Sequence, residues 1–199
     1  MTIASAALLL FLVMDPLGNI PVYLSALKSV DSARQRHIVA RELLIAYGIL
    51  VLFLFAGQYI LSLLRISDPA LSIAGGIVLF LISLRMVFPS AEGALDEHIK
   101  GEPFIVPLAV PYVAGPSALA AVMLLMSREP ARWPDWITAL SAAWVACAVI
   151  LILGSRLSRI LGQRGLVAME RLMGLVLVAV AVQMFLEGLR LGLQGNTPG

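Results

Sequence analysis

Six stretches of this chain, residues 3–27, 43–64, 70–88, 104–126, 136–154 and 166–188, are each predominantly apolar over roughly the 20 residues that an α-helix needs to cross a bilayer. The connections between them are short and polar, so no soluble domain fits between them. The chain therefore reads as all-α: a polytopic membrane protein with six transmembrane helices in one domain, residues 1–199. Composition agrees. Hydrophobic residues make up 60% and charged residues 13%, whereas a soluble domain carries about half and about a quarter. A chain of this size in water needs far more polar cover than 14 basic and 12 acidic side chains supply, and lipid removes that need.

The same residues narrow the chemistry. A net charge of +2 gives no footing for a nucleic-acid partner. The single Cys147 leaves no intramolecular disulfide and no cysteine-based metal site. His37 and His98 both fall in connections, so no metal and no cofactor is expected. The chain carries no HExxH, GxSxG or paired-aspartate protease motif and no nucleotide-binding motif, and it is read as a non-enzyme without direct ATP coupling. Its start, "MTIASAALLLFLVMDP", lacks the positive leader of a secretory signal and reads as a retained span.

Basic residues orient the spans. Lys28, Arg34, Arg36, Arg41, Lys100, Arg156, Arg159 and Arg164 fall on one side; Arg65, Arg128, Arg132 and Arg190 fall on the other. Eight against four puts the first, third and fifth connections in the cytoplasm and both termini outside. "KSVDSARQRHIVARE" (28–42) is the longest basic connection, with Asp31 and Ser32 placed to cap a helical extension into the second span.

The chain also repeats itself. Pro16 and Pro21 in the first span have counterparts in Pro111 and Pro116 of the fourth, 95 residues on. "GIVLFLISLRMVF" (76–88) reads against "GLVLVAVAVQMFL" (174–186) at an offset of 98. Two matches at nearly one offset suggest duplication of a three-span unit, residues 1–95 and 96–199. Three is odd, so the second copy enters the membrane upside down, as in many transporter folds.

Spans 1 and 4 are expected to be broken near the midplane. Proline removes a backbone donor and disfavours helix at the residue before it. Pro16 and Pro21 enclose Gly18 and Asn19, and Gly115-Pro116 follows Pro107 and Pro111. Non-helical backbone at membrane depth is tolerated only where protein or a wet cavity covers it, so both breaks face inward. Asn19 is expected to cap the half-helix after the first break, and Gly115 or Ser117 the one after the second. Helix N-termini there favour an anionic group and the preceding carbonyls favour a cation. The alternative is a pair of packed kinks with internally satisfied groups. Asp15 is either a proton- or cation-binding group or a cap for the broken backbone. The expected substrate-binding set is Asp15, Gly18, Asn19, Gly115 and Ser117, with Arg85, Gln183, Tyr23 and Tyr112 as weaker candidates along a pathway. Ser72, Gly75 and Gly76 read as a close helix-packing face.

"FLVMDPLGNIPVYLSAL" resembles the first span of the MarC family of bacterial inner-membrane proteins, where Asn often stands in place of Asp15. "IVPLAVPYVAGPSALAAVMLL" is similar to that family's second motif, with Ser117 where Gly is common. "RQRHIVARE" and "AGGIVLFLISLRM" also fit, and the resemblance covers nearly the whole chain. It implies a multi-pass, six-span protein of the bacterial inner membrane, related to the lysine-exporter superfamily with its amino-acid and metal-ion exporters. The function expected is secondary transport or export of a small polar solute, an amino acid, ion or metabolite. The alternatives are a non-transporting accessory or structural membrane protein and an intramembrane enzyme. The lipid bilayer is the expected partner, and the small-residue faces permit a homodimer.

Overall fold

The computed structural model describes residues 1–27, 30–88 and 113–194. It is all-helical among those residues: α1 Ile3–Met14, α2 Ile20–Ala26, α3 Ser32–Leu64, α4 Asp68–Val87, α5 Pro116–Arg128, α6 Trp133–Ile152 and α7 Gly154–Gln194, with a 3₁₀ turn at Pro130–Arg132.

Four helical segments are long and apolar enough to cross a membrane: Arg34–Leu64, Asp68–Val87, Pro130–Ile152 and Arg164–Gln194. The first and fourth apolar windows do not become spans of that kind. They yield the shorter apolar helices Ile3–Met14 and Pro116–Arg128. At about 1.5 Å per residue, these reach about 18 and 20 Å, little more than half of a hydrocarbon core of about 30 Å. The physical reason is local: the first window stops being helical at the Asp15–Asn19 turn, and Pro116 opens α5. Pro107, Pro111 and Tyr112, with the rest of residues 89–112, lie outside the described residues.

The basic stretch before the second span is mostly helix rather than loop. At 33 residues α3 is about 50 Å long, so its basic first turns stand beyond the hydrocarbon. Asp31 occupies the N-cap position, without a side-chain cap bond. The connection between the fifth and sixth spans is also helical, interrupted at Gly162. A φ of 64° there is the left-handed region that glycine enters without a Cβ penalty.

Two helices form the closest-packed pair. The start of α4 meets the end of α7, with Gly188 against Pro69 and Ile73, while Gly174 near the start of the apolar part of α7 meets Ser83 and Met86. They therefore run antiparallel. A Cβ at Gly76 would stand 2.8 Å from the Ala181 carbonyl oxygen, and one at Gly174 would stand 3.1 Å from the Ser83 carbonyl oxygen. Only small residues let backbones approach so closely. The Ser72 hydroxyl donates to the Met184 carbonyl at 2.8 Å across the same seam, so the packing face expected at Ser72, Gly75 and Gly76 is found.

Around that pair, α1 packs on α6 and α5 on α3, and α3 meets α6. Trp144 Nε1 donates to the Leu43 carbonyl at 2.8 Å, and the Tyr47 and Ser141 hydroxyls share a hydrogen bond of 2.8 Å. Nearly every residue of α5 from Ser117 to Met126 is buried, which is the signature of a helix enclosed on all sides. On α3, α4 and α7, Leu52, Leu63, Leu81, Leu175 and Leu186 face outward. Exposed apolar surface of that extent marks a lipid-facing exterior.

Candidate functional site

The first break is a five-residue turn, Asp15 to Asn19, between α1 and α2. Asp15 ends α1 in the left-handed conformation, φ 43° and ψ 60°, where Asp is among the few non-glycine residues that settle. Its Oδ1 accepts from the Gly18 backbone N–H at 3.1 Å. Asn19 Nδ2 donates back to the Met14 carbonyl at 2.9 Å, so one of α1's last carbonyls is satisfied by a side chain. This corrects the sequence expectation. Asn19 stands at the N-cap position of α2 but makes no side-chain cap bond there, because its amide serves the end of α1 instead. Gly18 is required by space: a Cβ would stand 2.1 Å from Asp15 Oδ2 and 2.5 Å from Met86 Cε. Asp15 and Asn19 are 9% and 8% exposed, so the turn is a polar island inside an apolar bundle.

The second break is described from Val113 onward. Val113, Ala114 and Gly115 are buried, and Gly115 caps α5 in extended backbone with no side-chain bond. Ser117, buried at 3%, lies in the first turn. Among the described residues no side chain caps the first N–H groups of α5, unlike the carbonyl end of α1.

The two breaks lie at the same end of one packed pair. The Met1 ammonium is 3.7 Å from Glu129 Oε1, and Arg132 donates to the Met1 carbonyl at 2.9 Å. The start of α1 is thus beside the end of α5, and the two helices pack together. Running antiparallel with 12 and 13 residues, they carry Asp15 and Gly115 to one common end. At the other end Arg132 holds both Glu129 and Asp135. Glu129, outside the spans, has its carboxyl held below the ordinary range, chiefly by the hydrogen bond from Arg132.

The weaker candidates separate. Tyr23 on α2 is buried and within electrostatic reach of Cys147 on α6 and Glu42 on α3. Cys147 is in turn within electrostatic reach of Asp15, as is Glu170 of α7. Gln183 is not at the breaks. It lines a cavity of about 410 Å³ near the Met1 end, together with Ser72, Leu124, Arg128 and Glu187, and Arg128 and Glu187 are ion-paired there. Arg85 is exposed in the last turn of α4. Its neighbour Met86 is the α4 side chain that meets the Gly18 turn. Tyr112 lies outside the described residues.

Sequence reasoning missed Glu42. It is completely buried, although "RQRHIVARE" reads as a solvated basic stretch. The available signal is register: Val39, Glu42 and Ala46 are spaced three and four apart, on the face that continues to Leu50 and Leu54.

A model described as "MarC family integral membrane protein" matches residues 1–193. The UPF0056 inner membrane protein YhgN of Escherichia coli (strain K12) is 50% identical over 194 residues, covering 97% of this chain and 98% of the relative. A UPF0056 membrane protein of Buchnera aphidicola subsp. Schizaphis graminum is 45% identical, covering 94% of this chain and 96% of that one. One from Chlamydia pneumoniae is 35% identical, over 92% and 91%. No solved structure matches the chain.

Proposed function

The chain belongs to the MarC family of integral membrane proteins, and on that premise we propose that it is a secondary transporter or exporter of a small polar solute. The carrying observation is the buried polar turn Asp15–Asn19 at the same end of the α1–α5 pair as the uncapped start of α5. An ionisable group at membrane depth is costly unless it faces a partner or a pathway. The start of α5 offers N–H donors and the positive end of a helix dipole, and Asp15 offers an acceptor. A solute with both an acceptor and a donor group fits between them.

Two inverted halves support the same reading. Under the offset of 98, Gly76 corresponds to Gly174, Ser83 to Ala181, Met86 to Met184 and Val87 to Phe185. Gly76 meets Ala181, Met184 and Phe185; Gly174 meets Ser83, Met86 and Val87. Each contact has its counterpart, as a two-fold axis between antiparallel α4 and α7 requires. At the level of whole spans, the contact of the first with the fifth likewise mirrors that of the fourth with the second. Such an axis would lie in the membrane plane, with the site between the halves and both termini on one face, the outer one by the distribution of basic residues.

The test is flux of small polar solutes in proteoliposomes. Wild-type protein is expected to move at least one amino acid, ion or metabolite, and Asp15→Asn or Gly115→Leu to abolish that flux in folded protein. Flux that neither substitution alters would remove the site. A non-transporting accessory role is the second reading, favoured by the way Asp15 and Asn19 already satisfy their own turn. It predicts no flux and a stoichiometric partner on purification.

A further inference from the structure

The cavity near the Met1 end lies away from both breaks and is the right size for a ligand: about 410 Å³, within the range of about 300–1,000 Å³ that small-molecule sites occupy. Its floor is α5, where Ala121 and Leu124 are buried, and its sides are Leu9 of α1 and Ala179 and Gln183 of α7. Ala121 stands seven residues before Arg128, and Ala179 eight before Glu187. At 1.5 Å per residue the groove therefore runs about 10–12 Å inward from the Arg128–Glu187 ion pair. That is most of one leaflet of a hydrocarbon core about 30 Å thick.

Three observations say what fills it. First, the groove opens onto the lipid-facing surface: Leu8 of α1 and Val182 and Leu186 of α7, next to its lining residues, are all exposed. Left empty, an apolar groove forfeits the dispersion contacts of every side chain along it, and an acyl chain is the material on hand. Second, Gln183 is exposed on α7 one turn, about 6 Å, inside Glu187. Its amide makes no hydrogen bond among the described residues. An amide at that depth without a partner is costly, so the occupant offers it an acceptor just below the charged level. Third, the charges at the mouth balance. Arg128 is matched by Glu187, and the Met1 ammonium and Arg132 by Glu129 and Asp135. A head with one charge finds no net field there, whereas a head with both charges extends the Arg128–Glu187 pair. Arg128 gives one donor to Glu187 and keeps others free for an anion.

We propose that this groove binds one zwitterionic phospholipid. The phosphate lies at Arg128 and the ammonium at Glu187, an ester carbonyl accepts from the Gln183 amide, and an acyl chain lies along Leu9, Ala121, Leu124 and Ala179. A small polar solute would leave the apolar floor unused. The lipid joins α1 of the first half to α7 of the second, helices that barely touch each other directly. The site is independent of transport.

Native mass spectrometry tests it on full-length protein extracted in mild detergent from vesicles of equal phosphatidylethanolamine and phosphatidylglycerol. One phosphatidylethanolamine per chain is expected to survive extraction, and to rebind saturably when added to delipidated protein. Ala179→Phe fills the groove from its rim and is expected to abolish retention. Gln183→Leu is expected to weaken rebinding about fivefold, as the loss of one hydrogen bond entails. Leu52→Phe, on the lipid-facing side of α3, should change nothing. Ala179 and Gln183 are both exposed, so neither substitution burdens the core. The proposal is overturned if wild type retains no lipid, if Ala179→Phe and Gln183→Leu retain it as wild type does, or if phosphatidylglycerol is retained in preference. A lipid-free dimer that Ala179→Phe splits would also overturn it, by making the groove an interface between two copies of the chain.

Discussion

The two breaks solve one problem in opposite ways. The first closes on itself: Asp15 takes the Gly18 N–H, and Asn19 takes the Met14 carbonyl. The second opens α5 with a glycine and no side-chain cap. One break therefore presents a satisfied turn with an acidic group, and the other a helix start with no side-chain cap bond among the described residues. The halves of the molecule share a scaffold, since α4 and α7 exchange matching contacts, and differ at the place where a solute would be held.

Substitutions at the first break test how tightly that turn is built. The largest effect is expected at Gly18. A Cβ there meets Asp15 Oδ2 at 2.1 Å, and forcing extra volume into a packed core costs about 1–3 kcal/mol. Gly48, with nothing within 4 Å, is the control: Gly48→Ala in a helix interior is expected to gain roughly 0.5–1 kcal/mol. Thermal unfolding in detergent separates the two, and equal midpoints would mean the first turn is not tight. Asn19→Ala comes next, losing about 1 kcal/mol with the bond to Met14, and it should exceed Ser117→Ala, since no side chain caps α5. The reverse order would move the stabilising polar contact from the first break to the second.

Asp15→Asn keeps an acceptor for Gly18 and should change stability by less than about 0.5 kcal/mol, while solute flux is lost. Stability lost together with flux would make Asp15 a cap and nothing more. The smallest effect belongs to the far end of the α1–α5 pair. Glu129 has its carboxyl held below the ordinary range by Arg132. Its contribution is therefore complete above the ordinary carboxylate range and disappears as pH falls through the lowered value. Glu129→Gln should erase that small acid-side dependence, read as unfolding midpoint against pH.

Much of this was legible in residues. Pro16, Gly18, Pro21 and Gly115-Pro116 announce both breaks because proline and glycine act locally. Gly76 and Gly174 announce the close seam because close packing demands small side chains. Asn19 was misread because an amide between two helix ends can serve either, and only the fold of the turn decides. The interruption of the window 3–27 at Asp15–Asn19 was legible, while the hydrogen bonds that close the turn were not, because they depend on how two helix ends meet. Glu42 was hidden by its company: five basic or polar neighbours suggest water, while its position relative to Val39 and Ala46 puts it in the core.

If both breaks face one site, Leu17→Cys and Ser117→Cys can be cross-linked in a Cys147→Ser background by a short bifunctional maleimide, in membranes. An efficient intramolecular cross-link is expected, and none between Leu17→Cys and a cysteine at the exposed Tyr59 of α3. Equal labelling of both single cysteines with no cross-link between them would contradict it.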